Sequence, residues 1–132
     1  MKSLRLYKTE KLCSLTAVEL LFSQLKDSGG KGGAALVYPW RIVWRLNEDR
    51  PEGMRRDVAQ FLITVPKKRV RHAVDRVLMR RRCREAYRLH RDALPAGVPL
   101  DLAFIYVGKE GSLASYAATE RAVVRLLSQI KL

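Results

Sequence analysis

Eleven cationic side chains stand between Lys67 and Arg91 against only two acids, Asp75 and Glu85, which leaves +9 in 25 residues. The other 107 residues together carry only +4. Guanidinium forks hold phosphate bidentately, and a row of arginines at i, i+4 spacing on a rigid helix follows a phosphodiester backbone with little ordering cost. Arg76, Arg80, Arg84 and Arg88 have that spacing, and Arg81 lies beside them. Lys67, Lys68 and Arg69 add charge just before the helix, where free backbone amides and the helix dipole also favour phosphate. A merely solvated face interleaves both signs for i, i+4 pairing, and this one hardly does. The segment is the electrostatic footprint of a polyanion-binding surface.

Other chemistry is poorly supplied. No GxSxG, HExxH, CxxC, phosphate-loop or dinucleotide-binding pattern is present. His72 and His90 lie eighteen positions apart and cannot share one metal ion or one proton, and Cys83 and His90 would be about 10 Å apart along a helix axis. The thirteen acids are dispersed, so neither a two-metal carboxylate cluster nor a general acid/base pair can be assembled. The expectation is a chain with no catalytic residue and no metal site of its own. The aromatics Tyr38, Trp40, Trp44 and Phe61 could stack on unpaired bases from an open cleft, although core packing is the commoner fate of strand aromatics.

The elements that must position these groups follow from periodicity and punctuation. Thr16 and Glu19 form a capping box, and a helix is expected over 16–26, with Val18, Leu21, Phe22 and Leu25 at helical spacing before the glycines at 29–33. Strands are expected at 34–38, 41–46, 58–65 and 100–107, with Pro39 as a bend between the first two and Pro66 ending the third. No Gly or Pro interrupts 70–91, which predicts a helix. At 100° per residue Met79, Cys83, Ala86 and Tyr87 share a core-facing stripe, and the arginines span a different, outward face into which Val77 intrudes, with Leu78 beside them. A last helix over 115–130 carries Val123, Leu126, Leu127 and Ile130 inward.

At 132 residues, with 48% hydrophobic content and a net charge of +13, one domain over 1–132 is expected, with a real core rather than a disordered basic tail. No apolar run approaches the roughly 20 residues of a membrane span. The N-terminal MKSLRLYKTEKLCSL lacks the apolar stretch of a secretory signal, which makes the cytoplasm the expected location and free thiols the expected state of Cys13 and Cys83.

The run from Phe61 to Arg88 resembles a known signature. Phe61 to Val65, Pro66-Lys67-Lys68, Ala73-Val74-Asp75-Arg76, Arg80-Arg81 and Arg84-Glu85-Ala86-Tyr87-Arg88 are similar to the strand, Lys-Lys turn and arginine helix of the protein subunit of bacterial ribonuclease P. Arg76 matches the first Arg of that family's Arg-Asn-Arg element, and Arg80 and Arg81 match its following basic pair. Arg84, Glu85 and Arg88 match the distal portion. Val77 stands where the family has Asn, and Leu78 where it has the second Arg.

The resemblance implies a two-layer α+β sandwich like the second domain of a ribosomal protein family, with a four-stranded sheet, three helices and a left-handed crossover against the general right-handed rule. It implies a monomeric protein bound to the catalytic ribonuclease P RNA and to precursor tRNA. Magnesium ions held mainly by the RNA hydrolyse the phosphodiester, and the protein aids removal of the 5′ leader. Lys67, Lys68, Arg69, Arg76, Arg80, Arg81, Arg84 and Arg88 become the RNA-binding candidates, and Phe22, Tyr38, Trp40 and Phe61 become candidates for a cleft that takes the leader as a single strand. Glu85 is then a helix ion-pair partner rather than a base. A general structured-RNA or ribosome-associated protein of the same fold is the alternative. A module docking its arginine helix on an acidic protein or anionic membrane is weaker, because the helix lacks the broad aromatic and leucine face a membrane requires.

Overall fold

The computed structural model describes residues 32–46, 59–94, 97–109 and 113–130. The helix expected over 16–26, with its capping box, Phe22 and Cys13, lies outside them. Two strands, β1 (Gly32–Val37) and β2 (Trp40–Leu46), form a hairpin around Tyr38 and Pro39. They are followed by β3 (Gln60–Thr64), α1 (Ala73–His90), a 3-10 turn (Arg91–Ala93), β4 (Leu100–Tyr106) and α2 (Tyr116–Ser128). The four strands form one sheet in the order β1-β2-β4-β3, antiparallel except for β3 and β4, which run parallel. Parallel neighbours cannot be joined by a tight turn, so α1 is the crossover between them.

Period-two alternation decides what the sheet buries. Trp40, Ile42 and Trp44 of β2 share a face with Leu100, Leu102, Phe104 and Tyr106 of β4 and with Phe61 of β3, and all are buried. Met79, Cys83, Ala86 and Tyr87 of α1 pack onto that face, as do Ala122, Val123, Leu126 and Leu127 of α2. Tyr87 is the hinge of this core: its ring lies 4.4 Å from Phe61 and 5.7 Å from Phe104, while Trp40 meets Tyr106 edge-on at 5.1 Å. Val43 and Ala103, on the opposite face, are also fully buried, so the centre of that face is not the solvated surface that simple alternation implies. Gly33 sits opposite Trp44, where a Cβ would come within 2.6 Å of the indole; only glycine lets the edge strand lie this close.

Helix boundaries are narrower than the sequence implies. The backbone amides of Arg69 and Val70 both donate to the Pro66 carbonyl, at 3.0 and 3.1 Å, closing a separate turn before α1. Val65 and Val70 are buried on either side of that turn and pin it to the core, so Lys67, Lys68 and Arg69 are held out between two apolar anchors. α2 has a conventional start, the Ser115 hydroxyl accepting from the Ala118 amide at 3.2 Å.

Candidate nucleic-acid interface

The stripe that buries Met79, Cys83, Ala86 and Tyr87 fixes the rotation of α1 about its axis, and therefore what it presents outward. Arg80, Arg81 and Arg84 are exposed and make no hydrogen bond or ion pair within the chain among the described residues. Arg80 and Arg84 stand one turn apart, about 6 Å along the axis, and the full row from Arg76 to Arg88 spans about 18 Å. Lys67, Lys68 and Arg69 are exposed at the N-terminal end of this row. α1 has no side-chain cap, which leaves its first amides open at the same end.

Two members of the row are engaged inside the chain. Arg76 donates from one guanidinium nitrogen to the carbonyls of Val70 and Arg71, at 3.0 and 2.8 Å, and so ties the Lys67–Arg69 turn to the first turn of the helix. Arg88 forms a bidentate pair with Glu85, donating at 3.0 and 2.5 Å. That hydrogen bond holds the Glu85 carboxyl below its ordinary range and raises the Arg88 guanidinium. A carboxylate stabilised in its ionised form is a poor proton acceptor, which suits Glu85 as a partner of Arg88 and not as a base.

Two polar contacts tie α1 to the N-terminal end of α2. Arg82, which the wheel places away from the arginine face, donates to the Ala114 carbonyl just before α2. His90 meets Glu120 at 3.3 Å, and the Tyr116 hydroxyl donates to the same carboxylate at 3.0 Å. Burial, and then the Glu120 bond, push the Tyr116 hydroxyl above its ordinary value. The sequence counted Arg82 only within the charge run; its helical angle, about 160° from Arg84, is the signal that separates it.

The aromatic candidates divide. Tyr38 is 65% exposed, and its hydroxyl accepts from the Lys109 amide at 2.9 Å. Trp40 and Phe61 are buried at 0% and 5% exposure, so neither presents a ring face to a base, and they are withdrawn from the leader cleft. The reason is strand parity: both stand on the face that α1 and α2 cover. Trp40 also donates its indole N–H to the Thr119 hydroxyl of α2 at 3.3 Å, a contact of the core. Phe22 lies outside the described residues.

Cys83 is a buried free thiol, its ionisation pushed well up by burial, and it is not an available nucleophile. Among the described residues no group of three or more His, Cys, Asp or Glu side chains gathers as a metal donor set, and no helix is long and apolar enough to cross a membrane. What the arrangement can do is hold phosphates along one helix and its entering turn.

Known proteins share both the sequence and the fold. The chain is 36% identical over 106 residues to the ribonuclease P protein component of Porphyromonas gingivalis, covering 76% of this chain and 73% of that one. It is 33% identical over 88 residues to the ribonuclease P protein component of Chlorobium phaeobacteroides, covering 59% of this chain and 60% of that one. The solved ribonuclease P protein of Thermotoga maritima superposes with a TM-score of 0.66 at 21% identity, over 92% of this chain and 98% of that one. The Staphylococcus aureus protein gives 0.66 at 14% identity, over 92% and 96%. The family model described as Ribonuclease P matches residues 29–131. The chain belongs to the ribonuclease P protein family, the protein component of an RNA-catalysed endoribonuclease.

Proposed function

We propose that α1 and its entering turn bind the catalytic RNA of ribonuclease P, and that the chain thereby promotes removal of the 5′ leader from precursor tRNA. The observation that carries this reading is the set of exposed cations Lys67, Lys68, Arg69, Arg80, Arg81 and Arg84, none of which is hydrogen-bonded or ion-paired to a carboxylate among the described residues. Arg76 orders the turn, and Arg88 retains donors beyond those given to Glu85. Tyr38 is the remaining described candidate for the leader.

Magnesium supplies the hydrolytic chemistry in this reading, and it belongs to the RNA. Among the described residues no donor set is assembled to hold it, and the Glu85 carboxylate is bound to Arg88. The protein's part is to bind, orient and screen phosphate charge. The same proposal includes a single monomeric domain in the cytoplasm.

Affinity tests the reading against a general RNA-binding role. The chain should bind a ribonuclease P RNA at least tenfold more tightly than ribosomal or other structured RNA of equal length at the same salt. Equal affinities would favour the general binder.

A further inference from the structure

A second basic feature lies at the far edge of the sheet. Val37 and Tyr38, at the β1–β2 turn, and Ala118, Arg121, Ala122 and Arg125 of α2 line a cavity of about 240 Å³. α1 lies over β3, whereas α2 lies over β1 and β2, so the cavity is three strand spacings from β3, roughly 14 Å. We propose that this cavity binds one unpaired RNA nucleotide, with the base stacked on Tyr38 and the phosphate held by Arg121 and Arg125. The inference rests on the RNA-binding role above and extends it to a separate surface.

Four observations carry it. Tyr38 is 65% exposed, far more than an aromatic ring needs for packing, yet its hydroxyl is fixed by the Lys109 amide at 2.9 Å, so the ring is ordered without being covered. Arg121 and Arg125 are exposed, one turn apart, and neither guanidinium has a carboxylate partner among the described residues. Ala118 and Ala122 lie on the same face of α2, and their small side chains leave the room that the cavity occupies. The distance between ring and guanidiniums is set by rigid links: the Trp40 indole donates to Thr119 of α2 at 3.3 Å, and the Val107 amide donates to the Pro39 carbonyl at 2.8 Å. An aromatic platform beside paired guanidiniums is the combination that single-stranded nucleic acid takes, a π-face for the base and a fork for the phosphate. At about 240 Å³ the cavity has room for a single base and none for a helix or duplex.

The nucleotide can come from the precursor leader or from an unpaired position of the ribonuclease P RNA. The full-length chain and its variants Tyr38→Ala, Tyr38→Phe, Arg121→Ala with Arg125→Ala, and Arg80→Ala with Arg84→Ala would be titrated against three probes. These are a five-nucleotide single-stranded RNA, the ribonuclease P RNA alone, and, with the assembled holoenzyme, precursor and mature tRNA. All the altered side chains are exposed, and thermal melts verify that each variant folds.

Tyr38→Ala should weaken the oligonucleotide about tenfold, and Tyr38→Phe should stay within about threefold of the wild type. The Arg121 and Arg125 pair should lower the salt slope by about 0.7, the contribution of the one single-strand phosphate they hold together. Losses on ribonuclease P RNA alone identify that RNA as the source, and losses confined to precursor over mature tRNA identify the leader; either supports the site. If the Arg80 and Arg84 pair loses slope while every Tyr38, Arg121 and Arg125 variant matches the wild type on all probes, the cavity is not a nucleotide site and the α1 reading stands. If the Arg80 and Arg84 pair keeps its slope and the cavity variants lose theirs, the α1 reading fails instead.

Discussion

Replacing Arg80 and Arg84 together with alanine removes two exposed cations from the middle of α1 and disturbs little else. Neither side chain has a partner within the chain among the described residues, and the core stripe of α1 lies on another face. Folding should therefore be preserved, with a melting temperature within a few degrees of the wild type, as for surface changes of about 0.5 kcal/mol or less. Binding should change in a specific way. Each phosphate contact contributes about 0.7 to the salt slope on a single strand and about 0.9 on a duplex, so the pair accounts for roughly 1.4–1.8. Across a fourfold rise in salt, from 50 to 200 mM, the affinity advantage of the wild type over the variant should shrink by about 7–12-fold, which is four raised to that slope difference. Filter binding or fluorescence anisotropy on a ribonuclease P RNA at five salt concentrations measures it. Parallel lines for wild type and variant, at whatever offset, would refute the placement of these arginines on phosphates.

Other consequences are equally concrete. Phe61→Ala removes a ring packed 4.4 Å from Tyr87 and should cost about 3–5 kcal/mol, roughly 12–20 °C in melting temperature, with equal losses on precursor and mature tRNA; a loss confined to precursor, without destabilisation, would return Phe61 to the leader. Glu85→Gln should leave RNA-dependent cleavage intact, since Glu85 serves Arg88, and abolished cleavage would make it a participant. Its carboxyl is lowered in the folded state, so its stabilising contribution is present above the unfolded pKa and is lost as pH falls through the folded value. Melts of wild type and Glu85→Gln should therefore differ slightly at neutral pH and converge under acid conditions, and a gap that widens in acid would reverse the sign. In a Cys13→Ser background, the Cys83 thiol should resist a thiol reagent at about pH 8 until denaturant is added, because burial disfavours the thiolate; rapid labelling of the native protein would contradict its place in the core.

Much of this was legible before any coordinates, and for identifiable reasons. The rotation of α1 followed from four residues, Met79, Cys83, Ala86 and Tyr87, because helical periodicity alone puts them on one stripe, and the structure buries all four. Val123, Leu126, Leu127 and Ile130 are buried by the same logic. The strands were found within two residues of their ends, since Pro39 and Pro66 punctuate them. Sheet order was not legible, because which strand sits beside which depends on long-range pairing such as that of Phe61 with Leu102. Trp40 and Phe61 were misplaced for that reason: a strand's two faces can be told apart in sequence, but which of them the helices cover cannot. The start of α1 came later than expected because the carbonyls of Val70 and Arg71, which a helix from residue 70 would have given to the amides of residues 74 and 75, accept from the Arg76 guanidinium. Arg121 and Arg125 passed unnoticed, since their helix was identified by its apolar stripe and the Tyr38 ring reaches them only through the fold.

The central claim is most directly tested by reconstituting cleavage. Purified protein, a ribonuclease P RNA and a 5′-labelled precursor tRNA would be combined at low magnesium, where the RNA alone has little activity, and leader release would be followed by gel. Cleavage at the mature 5′ end only when all three are present is the result this account predicts. Failure to stimulate cleavage with the cognate RNA, despite tight and salt-sensitive binding to it, would contradict it.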